Sequence, residues 1–129
     1  MSPVASLDLS ALPESASRAR RHVAAAITDD PELAEIAVLL VSELVANAVL
    51  HAGTPCVVRV DVDDQRVRVD VRDEDPRLPT LKDYGPDAVT GRGLRIVESL
   101  SDRWGVDGDA RGKTVWFELD RSSREGSRT

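Results

Sequence analysis

Apolar residues along this chain change their spacing several times, and each change marks a new element. Between residues 14 and 27, Ala16, Ala19, Val23, Ala26 and Ile27 recur at three- and four-residue intervals, the period of an amphipathic helix. The same period returns in Leu33, Ile36, Ala37, Leu40, Val41, Leu44 and Ala48. Asp30-Pro31 opens this second helix with a capping carboxylate and a proline at the first helical position, and Ala52-Gly53 before Thr54-Pro55 stops it. The period then falls to two. Cys56, Val58, Val60 and Val62 share one face of a strand, Val67, Val69 and Val71 share one face of another, and Asp63-Asp64-Gln65 is short enough for a hairpin turn. Residues 74–90 hold Pro76, Pro79, Gly85 and Pro86 with no period, a loop of the length that often serves as a lid. Leu94, Ile96, Val97 and Leu100 predict a third helix that starts at Leu94 and ends near Asp102. Strands are expected over 104–106 and 114–119, with a turn over 107–112, and a short first strand over 7–12. From Arg121 onward no apolar anchor remains, so 121–129 reads as a frayed tail behind one domain over 1–120.

Two acids and an amide break the apolar pattern. At about 100° per residue, Glu43, Asn47 and His51 climb one side of the long helix, where Asn47 and His51 fall among Leu33, Leu40 and Leu44. Burying an unpaired carboxylate or amide costs several kcal/mol, so something polar is expected to meet them. His51, near the helix end, has the simpler reading of a dipole partner. Asp73 continues the Val67, Val69, Val71 series and therefore points toward the core.

Composition narrows the classes. With 129 residues and 41% hydrophobic positions the chain suits one core, and 3% aromatic residues make that core aliphatic. A net charge of -6 argues against binding nucleic acid by phosphate neutralisation. The single cysteine, Cys56, excludes an internal disulfide and, with only His22 and His51, a zinc site of the usual kind. No stretch has the length and apolarity of a membrane span, and the first residues lack the pattern of a signal peptide, so the expected location is cytoplasmic.

Glycines supply the remaining chemistry. Gly91-Arg92-Gly93 ahead of a helix suits close backbone approach to an anion, but Ile96 stands where a dinucleotide fingerprint needs its third glycine. Gly112-Lys113-Thr114 resembles the end of a phosphate-binding loop, yet Asp107 replaces the glycine required five residues earlier, and that reading is rejected.

The order of these features is Glu43…Asn47 on a helix, Asp73 at a strand end, a long loop, Gly91-x-Gly93 at a helix start and Gly112…Thr114 in a closing hairpin. It resembles the GHKL (Bergerat-fold) ATP-binding family over about residues 8–120, and within it the small bacterial anti-sigma-factor serine/threonine kinases. The strongest motif is Glu43-Leu44-Val45-Ala46-Asn47-Ala48 with His51. The resemblance implies an α+β two-layer sandwich, a mixed, mostly antiparallel sheet covered on one face by helices. It implies ATP and Mg²⁺ as cofactors, with Asn47 as metal ligand and Glu43 as the base that activates a hydroxyl. Asp73 would take the adenine amino group, Thr114 would support the adenine, and Gly91, Gly93 and Leu94 would let a lid and a helix start face the phosphates. Implied partners are a sigma factor and an antagonist of the STAS class, with no direct contact to nucleic acid or membrane, and a homodimer is compatible with the likeness. One departure stands out: the family's Asp-x-Gly is here Asp73-Glu74-Asp75-Pro76. That favours an alternative, a nucleotide-binding or nucleotide-free regulator without phosphotransfer. A detached histidine-kinase-type ATPase domain is a third reading.

Overall fold

In a computed structural model, residues 4–75 and 89–121 are described, with the backbone alone at 4, 50, 51 and 89–93. Strand β1 (Val4–Leu9) leads into helices α1 (Ser15–Ala26) and α2 (Pro31–Ala46), and α2 runs on as a π-helical turn over Asn47–Ala52. Strands β2 (Cys56–Val62) and β3 (Arg66–Asp73) form the first hairpin. Helix α3 (Val89–Leu100) precedes the second, β4 (Arg103–Asp109) and β5 (Gly112–Asp120). The sheet order is β1-β2-β3-β5-β4. All four of its ladders are antiparallel, so the sheet expected as mixed and mostly antiparallel has no parallel pair among the described residues.

Helix α2 forms as its sequence predicts. Asp30 Oδ1 accepts the Leu33 N–H at 3.1 Å, Pro31 occupies the first turn, and Leu33, Ala37, Leu40, Val41, Leu44 and Val45 are buried. That stripe packs on α1, α3 and the covered face of β3 and β5. The sheet supplies Val58, Val60, Val67, Val69, Phe117 and Leu119, each at most 1% exposed, so the sole phenylalanine is, among the described residues, the fully buried aromatic of a Val/Leu/Ala core.

The uncovered face is polar and tied together by arginines. Arg68 lies over the Trp116 ring at 4.3 Å and reaches Asp70 at 2.8 Å and Glu118 at 3.3 Å. Arg103 pairs with Glu118 at 2.6 Å and also with Asp120. Burial pushes the Glu118 carboxyl up, but hydrogen bonds from Arg103 and Arg68 outweigh it and hold the group below its ordinary value.

Several boundaries differ from expectation for local reasons. β1 lies over Val4–Leu9, earlier than 7–12, because it pairs in register with β2, Leu9 opposite Cys56 and Val4 opposite Asp61. The closing hairpin is longer than expected, since Asp109 Oδ1 accepts the N–H groups of Arg111 at 2.8 Å and Gly112 at 3.1 Å and so makes a tight turn. Arg121 is docked and not frayed: its N–H donates to Gln65 O at 2.8 Å and its guanidinium pairs with Asp29. Residues 122–129 and most of the expected lid lie outside the described residues.

The Arg121 contact depresses the Asp29 carboxyl below its usual range, chiefly through the side-chain hydrogen bond. A depressed carboxylate stabilises the fold fully above its unfolded value and loses that contribution as pH falls through the lowered one. The thermal midpoint of Asp29→Asn is therefore expected to lie below that of the native chain near neutrality, the gap closing as pH falls through and below the ordinary aspartate range. A gap that stays constant over that range would show that the charge pair contributes nothing.

Candidate functional site

The helix carrying Glu43 and Asn47 changes character at Asn47. Its N–H donates to both Glu43 O and Leu44 O, and from there to Ala52 the backbone bonds skip to the fifth residue, a geometry found often at functional sites. The stripe that would place Glu43, Asn47 and His51 on one line therefore holds only up to Asn47, and the His51 side chain lies outside the described residues. The turn ends at Gly53, in the left-handed region at φ 67°.

Asn47 is half-buried, and its Oδ1 is fully shielded without a hydrogen-bond partner among the described residues. Buried amide oxygens are nearly always bonded, so this acceptor stands out. Glu43, one turn earlier, is half-buried, and among the described residues no hydrogen bond or ion pair involves its carboxylate. An uncharged oxygen of this kind suits a hard divalent cation, and a free carboxylate beside it suits proton transfer.

Asp73 ends β3 on the covered face, as the strand alternation predicts, with 6% of its surface exposed. It has company that sequence reasoning missed. Lys113, 8% exposed, sits directly opposite on β5, with Nζ 2.9 Å from Oδ2 and 3.1 Å from Oδ1. The same ammonium reaches Asp75 O at 3.3 Å, while the Asp75 N–H donates to Asp73 Oδ1 at 2.9 Å. Alternation in β5 contained the signal: Lys113 is in phase with Val115, Phe117 and Leu119, so it must face inward, and a buried ammonium requires an acid.

The same parity corrects Thr114. It lies on the uncovered face, out of phase with Asp73, where its Oγ1 accepts from Arg72 Nη1 at 3.4 Å. Adenine held by Asp73 would lie on the other side of the sheet. Leu94 is corrected as well: α3 begins at Val89, so Leu94 is beyond the first turn, and its side chain is 1% exposed in the core. Gly91 belongs to the first turn, where N–H groups lack intrahelical partners, whereas Gly93 lies past it, inside the helix and not in a hinge before it. The helix packs on both α2 and the π-helical turn that begins at Asn47.

Thr54 links the two halves of the site. Its N–H donates to Ala48 O at 3.3 Å, and its Oγ1 accepts the Glu74 N–H at 3.1 Å, joining the turn that starts at Asn47 to the residue that follows Asp73. Cys56, paired with Asp73 across the β2–β3 ladder, is 3% exposed. Burial, then the Asp73 charge, pushes its thiol up to about 11, so it is a protonated wall residue at neutral pH. A cleft of about 450 Å³ opens between the ends of β1, β2 and β3, walled by Asp8, Leu9, Pro55, Cys56, Asp73 and Glu74. Neither Glu43, Asn47 nor Lys113 lines it.

The model of the histidine kinase-like ATPase domain matches residues 7–119. The chain belongs to the histidine kinase-like ATPase domain family. An uncharacterized protein of Streptomyces coelicolor is 41% identical over 78 residues, covering 54% of this chain and 73% of that one. Two solved structures share the histidine kinase-like ATPase fold. The RsbU and RsbW domains of a Mycobacterium tuberculosis protein superpose with a TM-score of 0.69 at 24% identity over 91% of this chain. The histidine kinase domain of a blue-light activated histidine kinase from Erythrobacter litoralis gives 0.55 at 22% identity over 74%. This chain spans 32% of the first protein and 48% of the second. Among the described residues no helix is long and apolar enough to cross a membrane.

Proposed function

We propose that this chain binds Mg·ATP and transfers its γ-phosphoryl group to a serine or threonine of a protein partner, acting as an anti-sigma factor whose antagonist is its substrate. The carrying observation is the buried, partnerless Asn47 Oδ1 at the start of the π-helical turn. Magnesium takes few protein ligands and completes its shell with phosphate oxygens and water, so one amide oxygen fits its demand. The ion would supply charge neutralisation on the phosphates.

The remaining work falls to the chain's own residues. Glu43 accepts the proton of the incoming hydroxyl, which needs an acid with no other partner. Asp73 fixes the base at the far end, and the first turn of α3, with Gly91, offers N–H groups to the phosphates. Phosphoryl transfer depends mainly on such positioning and electrostatics. Support for the protein-kinase and anti-sigma reading comes from the Glu43…Asn47 motif and the family membership; the sigma factor and the STAS-class antagonist are proposals resting on that likeness.

The test is calorimetry with ATP, with and without Mg²⁺, followed by radiolabel transfer to a purified STAS-class protein. Acid-stable phosphoserine is the expected product, and Glu43→Gln is expected to bind ATP normally while losing transfer by about a hundredfold or more. ATP binding with no transfer to any STAS-class protein would defeat the kinase reading. A second reading rests on Lys113: its ammonium, 2.9 Å from Asp73, already satisfies much of the acid that the base would need. Absence of ATP binding would favour that nucleotide-free regulator. An acid-labile phosphohistidine on a partner would instead point to a detached histidine-kinase ATPase.

A further inference from the structure

We propose that Lys113 is a base-reading residue: its ammonium donates to ring nitrogen N1 of adenine while Asp73 accepts from the neighbouring amino group. The inference rests on the ATP reading above and deepens it, because the pair, not Asp73 alone, then sets the choice of base.

Counting donors and acceptors leads there. Lys113 Nζ carries three N–H groups. Asp73 Oδ1 at 3.1 Å takes one of them and Asp75 O at 3.3 Å takes a second, while Asp73 Oδ2 lies 2.9 Å from the ammonium as its ion-pair partner. One N–H is left. On the acid, Oδ1 already accepts from Lys113 and from the Asp75 N–H at 2.9 Å, whereas Oδ2, 2.9 Å from the ammonium in the ion pair, accepts no hydrogen bond among the described residues and keeps its lone-pair sites. The buried pair therefore presents one donor and one acceptor side by side. Adenine offers the complement, an amino donor beside a ring-nitrogen acceptor. Guanine and hypoxanthine offer an oxygen acceptor beside an N–H donor, which in the same orientation sets acceptor against acceptor and donor against donor.

The surroundings hold this pair in register. Lys113 and Asp73 face each other across the β3–β5 ladder, and a Cβ on the preceding Gly112 would sit 2.1 Å from Asp73 O, so the two backbones touch where the pair begins. The residue choice is also informative. The chain has fifteen arginines and two lysines, Lys82 and Lys113, and every described ion pair other than this one uses arginine. An ammonium is a compact point charge whose donors rotate freely on a flexible stem, whereas the guanidinium donors are fixed in one plane.

The experiment compares ATP with 1-deaza-ATP, in which a C–H replaces N1, by calorimetry on the full chain with Mg²⁺. The native protein is expected to bind the analogue about tenfold or more weakly, the usual loss for a hydrogen bond to a charged group. Lys113→Met is expected to bind the two with equal affinity. Equal binding by the native protein, or undiminished discrimination by Lys113→Met, would overturn the proposal. Should Lys113→Met not fold, ¹⁵N-lysine labelling of the native chain gives only two side-chain resonances to assign. The Lys113 Nζ signal is expected to move with ATP and stay with 1-deaza-ATP; equal movement with both overturns the proposal. A native protein that binds no ATP removes the functional reading itself, a different result from one that binds both nucleotides equally.

Discussion

Replacing Asn47 with alanine is expected to abolish Mg²⁺-dependent ATP binding while leaving the fold as stable as before. The two halves of that expectation have one cause. Asn47 Oδ1 is buried and makes no hydrogen bond among the described residues, so folding strips water from it without a replacement there. A buried polar group in that state costs about 1–3 kcal/mol, so its removal does not weaken the native structure through any lost contact of that oxygen. If the oxygen is a metal ligand, its loss should lower Mg·ATP affinity by about a hundredfold or more, since even outer partners of ligands commonly matter by ten- to a hundredfold. Calorimetry with Mg²⁺ and a thermal melt in its absence read the two effects separately. A melt that drops by many degrees would mean the amide has a structural partner, and unchanged affinity would remove it from the site.

The second large effect is expected at Gly112, in the fold itself. A Cβ there would stand 2.1 Å from Asp73 O and 3.1 Å from both Asp73 C and Glu74 Cα. Every one of those atoms is backbone, so no rotamer change relieves the overlap. Gly112→Ala must push β5 away from β3 at the end where Lys113 meets Asp73. Overpacking of this kind costs about 2–3 kcal/mol, and for a chain of this size that lowers the midpoint by roughly 6–15 °C. Gly105 provides the comparison. A Cβ there would meet the Trp116 ring at 2.7–2.9 Å, a side chain on the uncovered face that can swing aside. Gly105→Ala is expected to lose clearly less in the same melt, and equal losses at both positions would show that the backbone contact at Gly112 is not decisive.

Much of this molecule was legible before any coordinates. Asp30-Pro31 and the Leu33-to-Val45 spacing specified α2 because capping and amphipathic burial are local properties of the sequence. The β2–β3 hairpin was equally clear, since Val alternation and Asp63, which accepts the N–H groups of Gln65 and Arg66 at 2.8 Å each, are both local signals. Asp73 was placed on the covered face by extending that alternation. Where the reading failed, non-local or backbone effects decided. The π-helical turn after Ala46 is a change of hydrogen-bond partner that side-chain spacing does not announce. β1 takes its limits from its ladder with β2, which lies beyond two helices in the sequence. Thr114 was a different kind of miss. The alternation that located Asp73 would have turned Thr114 outward and Lys113 inward had it been applied to β5, but the role of Thr114 was taken from the family resemblance without that check.

The strand order carries one more consequence. β1, β2 and β3 belong to the chain before the long loop and β4 and β5 to the chain after it, so the two parts are sewn together along the β3–β5 seam and by α3 lying against α2. A break in the chain between β3 and α3 would leave every described rung of the sheet intact. The nicked pieces, one with two helices and three strands and the other with a helix and a hairpin, would stay associated through the shared Val69–Phe117 interior. The protein is thus built in a manner suited to complementation by split fragments, each bringing one member of the Asp73–Lys113 pair.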